Sequence, residues 1–316
     1  INEVKDKHID AIAARWAVLG KEMTAEEIQK SKDDFVPFVY DSSANAFITL
    51  TRQFGGGYTS IDANGKGQLD FDSAETREML SYFGQASIDK IFTVPARWEA
   101  QYTNEVSKTG KAIAGVGSTG GLRYNTPVES GYKLYNLGVA PVPYDQFSPE
   151  SRTVIQQGTN LSLTTSGTQA QKLASWYFIK FLTSGGIQTL FSVETGYSPV
   201  RDSVYTSEAY LEYLALADTV MADSHTQMMN AEGEPMSAAE YTTLYELVVK
   251  AMGSRAATQQ RAYQFTDTPF IGSSATRDAV GVTFDRVILK EETQTLQQAI
   301  EAAIAYGIAE AQKGIA

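Results

Sequence analysis

Cysteine is absent from this chain of 316 residues, and histidine is limited to His8 and His225. Without thiols there is no disulfide framework, no thiolate zinc site and no cysteine nucleophile. Two imidazoles leave little from which to build a histidine metal centre or a histidine-dependent triad. Cations are scarce as well: 26 Lys and Arg stand against 37 Asp and Glu, a net charge of -11. Nucleic acid is therefore not an expected partner, because phosphate backbones call for basic stripes. No apolar run reaches the roughly 18 residues that a membrane-spanning helix needs. The chain opens on Ile1 rather than Met, with no charged-then-apolar leader ahead of it, which reads as a processing or truncation point.

What is present is ordinary globular material, 43% apolar and 20% charged, long enough for two lobes. Ile9, Ile12, Trp16 and Leu19 recur at helical spacing, and Thr24 with Glu27 forms a capping-box pattern that opens a second helix. Phe35 to Tyr40 reads as a short strand. Asp41-Ser42-Ser43-Ala44-Asn45 then supplies caps for a helix over 46–54. Asn64-Gly65, between two short runs, is a hairpin signal. The same stretch half-resembles a calcium loop, but Lys66 and Ser73 stand where acidic ligands belong. Ser73 caps a helix over 74–85. Strands are expected at 111–117, 138–143 and again at Leu161-Ser162-Leu163-Thr164-Thr165. Helices are expected over 170–183, 208–229, 237–252 and 275–312. Strands alternating with helices and closing on helices indicate an α/β fold.

The chemistry-bearing residues form a binding palette. Gly115-Val116-Gly117-Ser118-Thr119-Gly120 matches a dinucleotide glycine pattern, yet no long helix follows and no acid lies at the required distance. Two readings stay open there: glycines that let backbone N–H groups approach a ligand, or glycines that only turn the chain. Hydroxyl and amide residues recur at glycine corners: Ser43 and Asn45, Ser118 and Thr119, Thr159 and Asn160 beside Gly158, and Ser273 and Ser274. Trp98, Tyr58, Tyr197, Arg201 and Arg277 lie near them in sequence. Such groups hydrogen-bond polyols, pack on sugar rings and read phosphate or carboxylate. No paired acids sit in a frame that suits glycoside hydrolysis, and no cofactor or metal site is expected.

Several segments, in order, resemble the extracellular solute-binding proteins of ABC importers, the family that includes maltose- and glycerol-3-phosphate-binding proteins. They are Gly55-Gly56-Gly57-Tyr58, Gly110 to Ser118, Leu137 to Pro143, Gln157 to Leu163 with Ala174 to Thr183, Thr195 to Arg201, and Ser274 to Ala311. The resemblance implies a two-lobed periplasmic-binding-protein-like fold with a ligand cleft and hinge. It also implies a first lobe left incomplete, since the family normally opens with about a hundred further residues. Residues 1–153 and 208–316 would form the larger lobe, and 154–207 the hinge crossing and return segment.

Carried over by resemblance, the ligand-binding residues would be Ser43, Asn45, Trp98, Ser118, Thr119, Gly158, Thr159, Asn160, Tyr197, Arg201, Ser273, Ser274 and Arg277. Ser273, Ser274 and Arg277 at a helix start suggest capture of an oxyanion; a simple N-cap is the other reading of Ser274. The implied function is a non-enzymatic, monomeric binding component. It would deliver a sugar, polyol or phosphate ester to an ABC permease from the periplasm or from a lipid anchor on the outer face of the membrane. A glycoside-active enzyme and a cell-surface protein without a transport role are the alternatives.

Overall fold

The structure is a computed structural model that describes residues 2–158 and 160–315. In chain order the elements are α1 (Asn2–Val18), α2 (Ala25–Asp33), β1 (Phe38–Tyr40), α3 (Ser43–Gln53), β2 (Thr59–Ile61), β3 (Gly67–Leu69), α4 (Ala74–Ile88) and β4 (Phe92–Thr93). Next come α5 (Asn104–Ser107), β5 (Ala114–Val116), β6 (Val128–Glu129), β7 (Tyr132–Lys133), β8 (Val154–Ile155), α6 (Gln169–Leu182), α7 (Gly185–Thr195) and α8 (Asp202–Tyr205). The chain ends with α9 (Glu208–Ala215), α10 (Ala238–Gln259), β9 (Gln264–Phe265), α11 (Ser273–Ile288) and α12 (Leu296–Gly314).

The chain divides into two compact units. Unit 1 holds residues 1–117, 142–156 and 263–316; unit 2 holds 118–141 and 157–262. Unit 1 is built on a parallel sheet of order β4-β1-β5, with Phe38 opposite both Phe92 and Ala114. Parallel strands need crossovers, and the chain between β1 and β4 supplies α3 and α4. Phe47, Ile48, Met79, Leu80, Phe284, Ile300 and Ile304 are fully buried and make these helices and α11 and α12 one core with Phe92 and Val94. Close approach of α12 to α11 depends on Gly307, where a Cβ would stand 2.3 Å from the Thr283 hydroxyl. That hydroxyl donates to Ala279 and to Ala303 across the helix pair.

Unit 2 is organised around α10, which starts in a Ser237–Glu240 capping box. One cluster holds Val248 and Val249 with Val128 and Met221. Another holds Ala251 with Val204, Tyr210 and Tyr213. These contacts draw 208–262 into the unit that contains 118–141 and 157–207, whereas the sequence expectation grouped 208–316 with 1–153. Among the described residues the strands of unit 2 are the hairpin β6–β7, with isolated bridges at Tyr132–Ser224 and Met229–Pro235.

Local expectations mostly hold, with instructive exceptions. The Thr24–Glu27 box caps α2, and Asp62 Oδ1 closes the β2–β3 hairpin by accepting from the N–H groups of Asn64 and Lys66. Helix 208–229 ends at Ala215, since Ser224 is taken into an extended bridge with Tyr132. Helix 275–312 breaks after Ile288, because Thr295 and Gln298 form a new capping box. No strand forms over 138–143, where Pro141 and Pro143 lack ladder donors. The strand expected over 111–117 shortens to β5 and lies open to solvent, being an edge of its sheet. Leu161 to Thr165 forms no strand and has no strand partner among the described residues.

Candidate functional site

In a parallel sheet, ligand sites form beyond the carboxyl ends of strands where the order reverses. In unit 1 that point lies between β1 and β5, because β4 was added on one side of β1 and β5 on the other. Asp41, Ser42 and Ser43 leave β1 there, and Gly117 leaves β5. Ser42 adopts φ 60 and ψ 90, an unusual conformation for a residue with a side chain. It caps α3 by accepting weakly from the Asn45 N–H at 3.5 Å. Asp41 Oδ1 accepts from the Thr103 N–H at 2.7 Å and from the Thr103 hydroxyl. Among the described residues no hydrogen bond reaches Asp41 Oδ2, which faces Gly117: a Cβ on that glycine would stand 3.0 Å from it. Burial pushes the Asp41 carboxyl above its ordinary range; the Thr103 donors oppose the shift and Glu105 adds to it.

Ser43 is at this end of the sheet, but its hydroxyl donates to Asp285 of α11. Burial likewise holds the Asp285 carboxyl up, against that donor. Trp98 packs with Val39, Val106 and Ala112, and its indole N–H donates to the Asp34 carbonyl at 3.2 Å. It is half-buried and reads as a packing residue.

Ser273, Ser274 and Arg277 lie elsewhere in unit 1. Ser43 meets Asp285, and Ala44 meets Gly281, so the first turn of α3 runs beside the middle and later part of α11. Arg277 precedes Asp285 by two turns, about 12 Å along the helix. Its neighbour is Tyr58, whose phenol is raised chiefly by burial; Asp267 and Asp278 add to the shift and Arg277 opposes it. Ser273 donates to the Phe270 carbonyl at 2.8 Å. Gly272, the cap of α11, abuts the end of α12, since a Cβ there would come within 2.4 Å of the Gly314 carbonyl oxygen. The start of α11 is thus taken up by its own chain.

In unit 2 two predicted residues come together. Gly121 donates its N–H to Ser118, at both the carbonyl and the hydroxyl, closing a tight loop. Gly196, at φ 78, fits against the Thr119 carbonyl, and the Tyr197 ring covers Gly120 at would-be contacts of 2.7 Å. Tyr197 also stacks on Phe191, with centroids 6.0 Å apart. Arg201 donates from Nε to the Thr183 carbonyl at the end of α6, a cap that the helix dipole favours. Gly158 and Asn160 are exposed, just past the passage from unit 1 to unit 2 at Gln156–Gln157. Thr159 lies outside the described residues.

Sequence reasoning did not select Asp41 or Thr103. The available signal was an acid directly after the first parallel strand, ahead of the serines that cap the next helix. Among the described residues, no cluster of three or more His, Asp or Glu could hold a metal ion. Nor, among the described residues, is any helix long and apolar enough to cross a membrane.

A family model described as bacterial extracellular solute-binding protein matches residues 9–218. No curated protein matches significantly. Among solved structures, UgpB from Mycobacterium tuberculosis in complex with glycerophosphocholine is similar at 16% identity and TM-score 0.58, over 90% of this chain and 59% of that one. The cyclic alpha-maltosyl-1,6-maltose binding protein from Arthrobacter globiformis is similar at 18% identity and TM-score 0.54, over 91% and 62%. The maltose/maltodextrin-binding domain MalE from Bdellovibrio bacteriovorus, bound to maltotriose, is similar at 15% identity and TM-score 0.55, over 88% and 61%. The fold is that of the two-lobed periplasmic binding proteins, and the chain spans about three-fifths of the length of each of these neighbours.

Proposed function

Because this chain belongs to the bacterial extracellular solute-binding protein family, we propose that it captures a small hydroxyl-rich solute, a carbohydrate or polyol. It would do so outside the cytoplasm, as a monomer, and deliver the solute unchanged to a membrane ABC permease. The observation that carries this reading is the free acceptor at the switch point of unit 1. Asp41 is oriented through Oδ1 by Thr103, while Oδ2 takes no donor among the described residues, and Ser42, the next residue in the chain, is exposed. A carboxylate held this way accepts hydrogen bonds from solute hydroxyls and repels anions. Within unit 2, Tyr197 and the Ser118–Gly121 loop form an aromatic and hydroxyl surface of their own. Neighbours of the same fold hold maltotriose and glycerophosphocholine, which agrees with polyol recognition.

A phosphorylated polyol is the second reading. It is favoured by Arg277, a half-buried guanidinium with no ion pair among the described residues. Thermal denaturation with maltose, maltotriose, glycerol, glycerol 3-phosphate and glycerophosphocholine separates the two. A ligand at about 100 times its Kd adds roughly 2.7 kcal/mol, a clear rise in midpoint. A rise with uncharged polyols alone supports the first reading, and a rise with phosphate esters alone supports the second. No rise with any of them, in the native polypeptide, defeats both; turnover of a glycoside would replace them with an enzyme.

A further inference from the structure

Asp41 is half-buried at the carboxyl end of β1, and the protein bonds only one of its two oxygens among the described residues. The grip on Oδ1 comes from the segment between β4 and β5. There Thr103, 6% exposed, presents both its N–H and its hydroxyl to that oxygen. Thr103 is fixed in turn. Its carbonyl accepts from the Ser107 hydroxyl at 2.9 Å, and its methyl group lies over Gly115, where a Cβ would come within 2.7 Å of it. Asp41 therefore cannot turn its other oxygen to Thr103 without disturbing a packed, buried residue. Oδ2 is left facing Gly117 of β5, where the missing side chain keeps it uncovered.

The charged surroundings of Asp41 are one-sided. Among the described residues no cation pairs with it. Glu105 of α5 is the charged neighbour, its Oε1 accepting from the Gln101 and Tyr102 N–H groups at 2.9 and 2.8 Å. β5 contributes the uncharged Gly117, and at the start of α3 the Ser43 hydroxyl is engaged by Asp285 of α11. Burial first, and then Glu105, favour the protonated carboxyl, while the Thr103 donors oppose them. The protonation state decides what Oδ2 offers a solute. Ionised, it only accepts; protonated, it carries a donor of its own. A polyol brings hydroxyl donors, and a hydrogen bond to a charged acceptor is about twice as strong as one to a neutral acceptor. The solute therefore selects the ionised form. Since Asp41 is drawn out of water in the free protein already, further cover opposes ionisation less than it would at an exposed carboxylate.

We propose that capture of a polyol at this corner is coupled to loss of a proton. Asp41 holds the solute as a carboxylate, and in acid its proton passes from Oδ2 to bulk water as the solute binds. By linkage the reverse holds as well, and acid weakens capture. This coupling rests on the β1–β5 corner being the polyol site.

Titration calorimetry with maltose, maltotriose and glycerol, which carry no titrating group of their own, tests the coupling. A probe that binds should do so roughly tenfold more tightly at pH 7.5 than at pH 4. In acid, repeating the titration in two buffers of different ionisation enthalpy should show a proton released on binding, up to one per solute. Asp41→Asn should bind at pH 7.5 about as weakly as the unsubstituted protein does at pH 4, and should release no proton. Thr103→Val keeps the N–H and drops the hydroxyl, so the pH at which affinity falls should move upward. Asp285→Asn removes the other raised carboxyl of unit 1 and should retain both the pH dependence and the proton. Equal affinity at the two pH values, or a released proton that Asp41→Asn retains, overturns the coupling and leaves the polyol site standing. Binding of none of the three probes at pH 7.5 overturns the polyol site itself, and the coupling with it.

Discussion

Asp41 Oδ1 accepts two hydrogen bonds from Thr103, one from its backbone N–H at 2.7 Å and one from its hydroxyl. Burial nevertheless keeps the carboxyl above its ordinary range, as it does for Asp285. The folded chain therefore binds these protons more tightly than the unfolded chain does. Their contribution is full below the unfolded value, about 4, and is lost as pH rises through the folded values. Asp41→Asn keeps an acceptor for Thr103 and removes the buried charge. Its midpoint should exceed that of the unsubstituted protein at pH 7.5, with the gap closing toward pH 4. A gap that does not change with pH would contradict the raised carboxyl.

Ser43 tethers the start of α3 to α11 through Asp285. Ser43→Ala strands a half-buried carboxylate without its donor, a loss of about 1–3 kcal/mol. Chemical denaturation at pH 7.5 should show that loss, and at pH 5 a smaller one, because the protonated carboxyl needs the donor less. Ser43→Thr, which keeps the hydroxyl, should recover most of it. Equal stability of Ser43→Ala and the unsubstituted protein would mean that the contact carries no weight.

At Gly196 the backbone has φ 78, and a Cβ would stand 2.8 Å from the Thr119 carbonyl oxygen. Gly196→Ala should cost roughly 1–3 kcal/mol, since the conformation is strained for a side chain and the obstacle is backbone. Gly185 is the control: it opens α7 with nothing within 4 Å of its would-be Cβ. There Ala should be neutral or gain up to about 1 kcal/mol. Reversal of that order in a denaturant titration would refute the packing of the 195–197 corner on the glycine loop.

Much of the fold was legible because its signals are local. Thr24 with Glu27 and Asn64-Gly65 act within a few residues and formed as their chemistry requires. Strand pairing was not legible: Leu161-Ser162-Leu163 has the right alternation, but alternation alone supplies no neighbouring strand, and none pairs with it among the described residues. At the candidate site, residue type was legible and placement was not. Ser43 and Ser118 were selected by type, yet only the topology of the sheet shows that Asp41 stands at its switch point. Arg277 was grouped by sequence with Ser273 and Ser274, and the register of α3 against α11 places it two turns from Asp285.

That separation yields the sharpest prediction about the ligand. A solute bound at the carboxyl ends of β1 and β5 accepts nothing from a guanidinium two turns along α11, so Arg277→Ala should change polyol affinity by less than about threefold, under 1 kcal/mol. Asp41→Asn exchanges a charged acceptor for a neutral one that Thr103 already engages. Loss of a hydrogen bond to a charged group is worth about 1.5–3 kcal/mol, so affinity should fall by roughly tenfold or more. Titration calorimetry on both variants, with whichever polyol raises the midpoint of the unsubstituted protein, decides the matter. Should Arg277→Ala abolish binding while Asp41→Asn leaves it intact, the solute is anionic and its site lies at the start of α11 rather than at the end of β1.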